Sequence, residues 1–219
     1  MNMQKMQTNM LEKQIKLYIQ FVMASYETKP EEQKNSLTFF RLISFYRQLK
    51  WIEECISQNA YHQAIRESRF ILDSIVQAYY IDKRHPTSEM QCKVEIVKEL
   101  EDLYGAKMIR KTHLKHHGLL EKLYGELCAY VHSSFDELVY SRSEKPEEIA
   151  SLEFERDPKM MALCMSFVNR TIDAIFFVVL SLFPDILGPK TKLEKIRAIF
   201  PKSSKELGLN LTLSKFRRK

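Results

Sequence analysis

Three groups of residues in this 219-residue chain have the types and spacing that chemistry requires. At about 100° per residue on a helix, Arg66, Arg69, Asp73 and Gln77 fall within an arc of roughly 80°, with Tyr80 among them. Ile65, Phe70, Ile71, Leu72, Ile75, Val76, Ala78 and Tyr79 fill most of the remaining circumference, which makes this segment a central helix with one charged stripe. Arg69 and Asp73 stand one turn apart and can pair, offsetting part of the cost of taking charge out of water. A second stripe, Ser166, Asn169, Arg170 and Asp173, spans roughly 100° of an otherwise apolar rod. Facing stripes would form a buried polar network suited to fold specificity, anion binding or catalysis. The third group is His132 in LYGELCAYVHSSF, beside Cys128 and Phe135, where an imidazole near an Arg could act as general acid or base. Each group also has a plain structural reading, as solvated stripes and a packed core histidine.

Other chemistries lack their residues. His113, His116 and His117 have no carboxylate or Cys at ligand spacing and sit among Lys and Arg, which disfavour a cation, so no metal site is expected. Cys55, Cys92, Cys128 and Cys164 are too far apart for a zinc or redox pair. Gly-rich phosphate loops, nucleophile elbows, HExxH and EF-hand patterns are absent, and no cofactor is implied.

The elements that must position these residues read as helices. Five Gly and seven Pro are too few for the hairpins of an all-β fold, and 45% apolar with 28% charged residues suits a globular core. Helical spacing runs over 8–27, with Lys29-Pro30 as punctuation, and over 36–58, with a break at Ser57-Gln58-Asn59. A third helix spans about 60–83, and Thr87 or Ser88 can cap a fourth that runs to Tyr104-Gly105. AKMIRKTHLKHH (106–117) is basic and poorly amphipathic, a short helix or an ordered connection. Apolar spacing resumes over 119–138, residues 139–157 form the longest irregular stretch, and Asp157-Pro158 opens the most apolar segment, which Pro184 closes. Asn169, Arg170 and Asp173 interrupt that segment, favouring a buried bundle helix over a membrane span. KLEKIRAIF can form a short amphipathic helix. The expectation is an all-α protein, one bundle of about six to seven helices over 1–200 with a basic tail over 201–219.

The formal charge of +6 is uneven: from Lys190 onward ten Lys or Arg meet two Glu, a local +8, leaving the remainder near −2. A basic tail on a neutral body places nucleic-acid contacts at the tail, with Lys215, Arg217, Arg218 and Lys219 as the candidates. Attachment to anionic lipid through KLEKIRAIF and the tail is a weaker third reading, because the apolar face is short. The start, MNMQKMQTNMLEKQIK, lacks the apolar run and small-residue site of a secretory signal, so a cytoplasmic location is expected.

The strings RESRFILDSIVQAYYIDKRHP and LYGELCAYVHSSF resemble paired segments of prokaryotic helical proteins of the HEPN superfamily, the likeness extending by organisation over roughly 40–180. The resemblance implies a helical bundle, often a homodimer, that binds RNA and in many members cleaves it without metal in toxin-antitoxin or antiphage systems, with a cognate antitoxin as a further partner. The family's motif places an Arg four to six residues before a His. His132 is the matching histidine, but no Arg precedes it at that interval, Glu126 stands there, and Arg66 or Arg69 would have to supply the cation with Asp73 beside it. In that chemistry the His moves the proton of the ribose 2'-OH and the Arg stabilises charge on the phosphate. The alternative is a noncatalytic helical interaction or dimerisation module.

Overall fold

The computed structural model describes residues 3–28, 32–100, 104–131 and 157–184. Among them are seven α-helices and no strand: α1 (Met3–Thr28), α2 (Leu37–Ser57), α3 (Tyr61–Arg84), α4 (Met90–Glu99), α5 (Gly105–Lys111), α6 (His117–Val131) and α7 (Pro158–Leu182), with a 3-10 turn at Glu32–Asn35. The all-α expectation holds. The short helix read in KLEKIRAIF, the tail over 201–219 and the irregular stretch over 139–156 lie outside the described residues.

Helix ends follow from local chemistry. At the start of α7, Asp157 Oδ1 accepts from the Lys159 and Met160 amides at 2.7 and 3.2 Å, and Pro158 fills the position where no amide hydrogen is needed. Between α2 and α3, Asn59 turns the chain in the left-handed region at φ 63°, which Asn tolerates better than most residues. Two boundaries differ from the sequence reading. The N-cap of α4 is Glu89, one residue beyond Ser88, and α4 ends at Glu99 instead of reaching Gly105. Gly105 opens α5 rather than closing α4, at φ +61°.

α3 is the axis of the bundle, packing on α2, α6 and α7. Its Ile65, Ile71, Leu72 and Ile75 are buried among Leu49 and Ile52 of α2, Leu123 and Leu127 of α6, and Ile172 with the run Ala174–Leu180 of α7 in one continuous apolar core. α1 closes the other side, where Phe21 meets Phe176 of α7 with ring centres 4.4 Å apart. α1 runs antiparallel to α2, because Tyr18 donates to the Leu42 carbonyl and Tyr26 to the Phe39 carbonyl, later residues of one matching earlier residues of the other. α7 is long and apolar enough to cross a membrane, yet 83% of its apolar window is covered within the bundle.

One buried ion pair fastens three elements. Asp82, near the end of α3, accepts from the Leu37 and Thr38 amides at 3.0 and 2.8 Å and from the Ser36 hydroxyl at 2.8 Å, so its carboxylate sits at the N-terminus of α2 where amides point outward. Lys93 of α4 donates to Asp82 at 2.9 Å and to the Asn35 carbonyl at 2.5 Å. Asp82 and Lys93 are only 4% and 1% exposed, and this set of bonds supplies the partners that buried charges require.

Candidate nucleic-acid interface

The charged stripe of α3 turns out to hold neighbouring helices. Arg69 Nη2 donates to the Tyr124 hydroxyl of α6 at 3.1 Å, and the guanidinium stands over the Tyr124 ring, 5.4 Å from its centre. Asp73 Oδ2 lies 3.8 Å from Arg69 Nε, and Asp73 Oδ1 accepts from the Gly105 amide at 3.0 Å. Burial pushes the Asp73 carboxyl up to about 6, against the opposing pull of Arg69 and the Gly105 amide. Burial also carries the Tyr124 phenol up to about 12. Arg66 is exposed one turn away, its Nη1 3.5 Å from the Gln63 side-chain carbonyl. The stripe on α7 reaches the same neighbour: Arg170 pairs with Glu126 of α6, while Asn169 and Asp173 are buried. The glutamate found where a motif arginine would stand is thus the ion-pair partner of Arg170.

His132 lies outside the described residues, as do Lys215, Arg217, Arg218 and Lys219. The level at which α6 ends is nonetheless fixed. His62 Nδ1 lies 3.5 Å from the Tyr130 carbonyl while Arg69 meets Tyr124, so α6 runs antiparallel to α3 and Val131 falls near the level of His62. Seven residues separate His62 from Arg69, about 10 Å along a helix axis. The described end of α6 therefore sits beside His62, two turns away from the Arg69 and Asp73 pair.

A different surface collects the exposed cations. From Gly105 to Lys122 the chain carries Lys107, Arg110, Lys111, Lys115 and Lys122 against the single acid Glu121, together with His113, His116 and His117. Every one of these basic residues is exposed. Amphipathy, not read from the sequence here, is present: Met108, Ile109 and Leu114 are buried, and His116 rests on Phe177 of α7 with ring centres 6.0 Å apart. The turn between α5 and α6 is built on two left-handed residues, His113 at φ 51° and His116 at φ 85°. This geometry tucks Leu114 inward and leaves His113, Lys115 and His116 outside.

α3 joins this surface at its C-terminal end. Asp73 meets Gly105 and Lys83 Nζ lies 3.4 Å from the Thr112 carbonyl, so α5 runs parallel to the second half of α3. Lys83 and Arg84 are exposed, the Lys83 ammonium 5.4 Å from the centre of the Tyr79 ring and the Arg84 guanidinium 4.6 Å from that of Tyr80. At the other end of α5, Tyr104, the extended residue that precedes the helix, is 62% exposed. Glu121 neutralises part of one edge by accepting from Arg110 at 3.0 Å. Among the described residues no group of three or more His, Cys, Asp or Glu is placed to hold a metal ion.

Comparison with known proteins finds no matching family model, no matching curated protein and no matching solved structure.

Proposed function

We propose that this chain is a HEPN-like helical protein that binds single-stranded RNA through the face formed by the end of α3, α5 and the α5–α6 turn. The observation that carries the reading is the run of exposed cations Lys107, Arg110, Lys111 and Lys115 along α5 and its turn, with the exposed Tyr104 ring at one end and Lys83 and Arg84 at the other. Cations neutralise phosphates and release counterions, while an exposed aromatic gives an unpaired base a stacking platform. RNA in preference to DNA comes from the HEPN resemblance. The test is fluorescence anisotropy with matched single-stranded RNA and DNA. Tyr104→Ala should weaken RNA binding about 5- to 150-fold, the range for loss of one stacked base. Removal of residues from Leu211 onward, which takes away Lys215, Arg217, Arg218 and Lys219, should weaken it less. Loss of binding on truncation alone, with Tyr104→Ala unaffected, would move the site to the tail.

Binding without cleavage is the second reading, and a specific arrangement favours it: Arg69 and Asp73 are directed at Tyr124 and Gly105, where they fasten α6 and α5. Metal-independent cleavage with His132 as the proton-transfer group is tested by incubating mixed RNA in EDTA with the wild type, His132→Ala and Arg69→Ala. Products that vanish in His132→Ala support an endoribonuclease, and no products from the wild type support the noncatalytic module.

A further inference from the structure

Among the described residues, six of the eight large apolar side chains left in solvent lie on α1 and α2, the other two being Phe70 and Tyr104. On α2, Phe40, Ile43 and Trp51 are 58%, 54% and 50% exposed, and their spacing puts them on the side of the helix opposite Leu42, Phe45, Leu49 and Ile52, which enter the core. Tyr46 is exposed beside them. On α1, Ile19 and Met23 are exposed on the same helix face as Glu12 and Lys16. α1 packs along α2 at this level, where Tyr18 and Tyr26 donate to the Leu42 and Phe39 carbonyls. Six half-exposed side chains, four on α2 and two on α1, thus share the outside of the α1–α2 layer, on the order of 500 Å2 of apolar surface.

The charges along this stripe are arranged to match themselves. Arg47 and Glu54 are both exposed and stand seven residues apart on the same face of α2, with Trp51 between them. A two-fold axis lying between two antiparallel copies of α2, level with the midpoint of Lys50 and Trp51, sets Arg47 of each copy opposite Glu54 of the other and brings the two Trp51 rings together near the centre. An interface of standard size, about 800 Å2 per partner, has a radius of about 16 Å, and ten residues of helix from this axis to Phe40 span about the same distance. Such an interface covers the apolar stripe from Trp51 to Phe40 with both ion pairs inside it.

We infer that the outer face of α2, widened by Ile19 and Met23 of α1, is a two-fold interface with a second copy of this chain, centred on Trp51 and fixed in register by reciprocal Arg47–Glu54 pairs. It does not depend on RNA binding, since the basic face belongs to α5 and the end of α3. Trp51 is the only tryptophan in the chain, so its emission reports this interface alone. Sedimentation velocity on the full chain without RNA should show a dimer whose dissociation on dilution shifts Trp51 emission to the red. Arg47→Glu should raise the dimer dissociation constant about tenfold, Glu54→Arg likewise, and the double variant Arg47→Glu/Glu54→Arg should return to within about threefold of the wild type. Because both side chains are exposed, circular dichroism should be unchanged in all three. A wild-type monomer at about 100 μM overturns the inference, as does a dimer indifferent to Arg47→Glu with constant Trp51 emission, or a double variant no better than the singles.

Discussion

The Gly105 amide donates to Asp73 Oδ1 at 3.0 Å, and this bond ties the first residue of α5 to the middle of α3. It decides where the basic face lies, since Lys107, Arg110 and Lys111 follow Gly105 on one short helix.

Gly105 is required twice over. Its φ of +61° is costly for any residue with a Cβ, and a Cβ there would stand 2.5 Å from the Tyr124 hydroxyl and 2.6 Å from its ring carbon. Gly105→Ala should lower stability by about 2–4 kcal/mol in urea unfolding, combining the backbone and steric penalties. Adding Tyr124→Ala removes the clash but not the backbone penalty, so the double variant should be less destabilised than the sum of the two singles.

Asp73 should make stability depend on pH in an unusual sense for a carboxylate beside an arginine. Its pKa in the folded chain is raised to about 6 by burial, from an ordinary value of 3.8, so the folded state holds this proton more tightly than the unfolded chain. The contribution is present below about pH 4 and is lost as pH rises to 6, amounting to roughly 2–3 kcal/mol before solvent screening is allowed for. Asp73→Asn keeps an acceptor for the Gly105 amide, and the difference in unfolding free energy between wild type and variant should therefore change between pH 4 and 6 and level off above pH 7. A difference flat across that range would remove Asp73 as the source.

The Asp82–Lys93 pair should behave as a closed unit. Lys93→Met leaves the carboxylate with only Ser36 and two amides, and Asp82→Ala leaves an ammonium buried with one carbonyl, so each should cost about 3–5 kcal/mol. The double variant should cost less than the sum by at least about 1 kcal/mol in a chemical-denaturation cycle. Additive losses would mean that the two side chains act independently.

Helix identity was legible where apolar spacing and end chemistry agreed. Asp157-Pro158 fixed the start of α7, and Ser57-Gln58-Asn59 marked the α2–α3 turn. Gly105 misled because a left-handed glycine is most common just after a helix, whereas here Tyr124 and Asp73 select it at the start of one. Capping by Thr87 or Ser88 failed for a related reason: the register of α4 is set by Lys93 reaching Asp82, far away in the chain. The stripe on α3 was visible as a pattern, but its attachment to Tyr124 and Gly105 depends on which helices adjoin it. The basic face escaped because a remainder near −2 averages its cations against acids elsewhere. The density of Lys, Arg and His over 105–122, punctuated by Met108, Ile109 and Leu114, was the local signal that could have found it.

The most direct measurement of the RNA-binding face is the salt dependence of RNA affinity for wild type and a Lys107→Ala/Lys111→Ala/Lys115→Ala variant, read by anisotropy between about 50 and 300 mM salt. Three lost phosphate contacts should reduce the slope of log affinity against log salt by about 2 and weaken binding at every salt concentration, with unfolding stability unchanged. Equal affinity and an equal slope in the two proteins would contradict the assignment of RNA binding to α5 and its flanks.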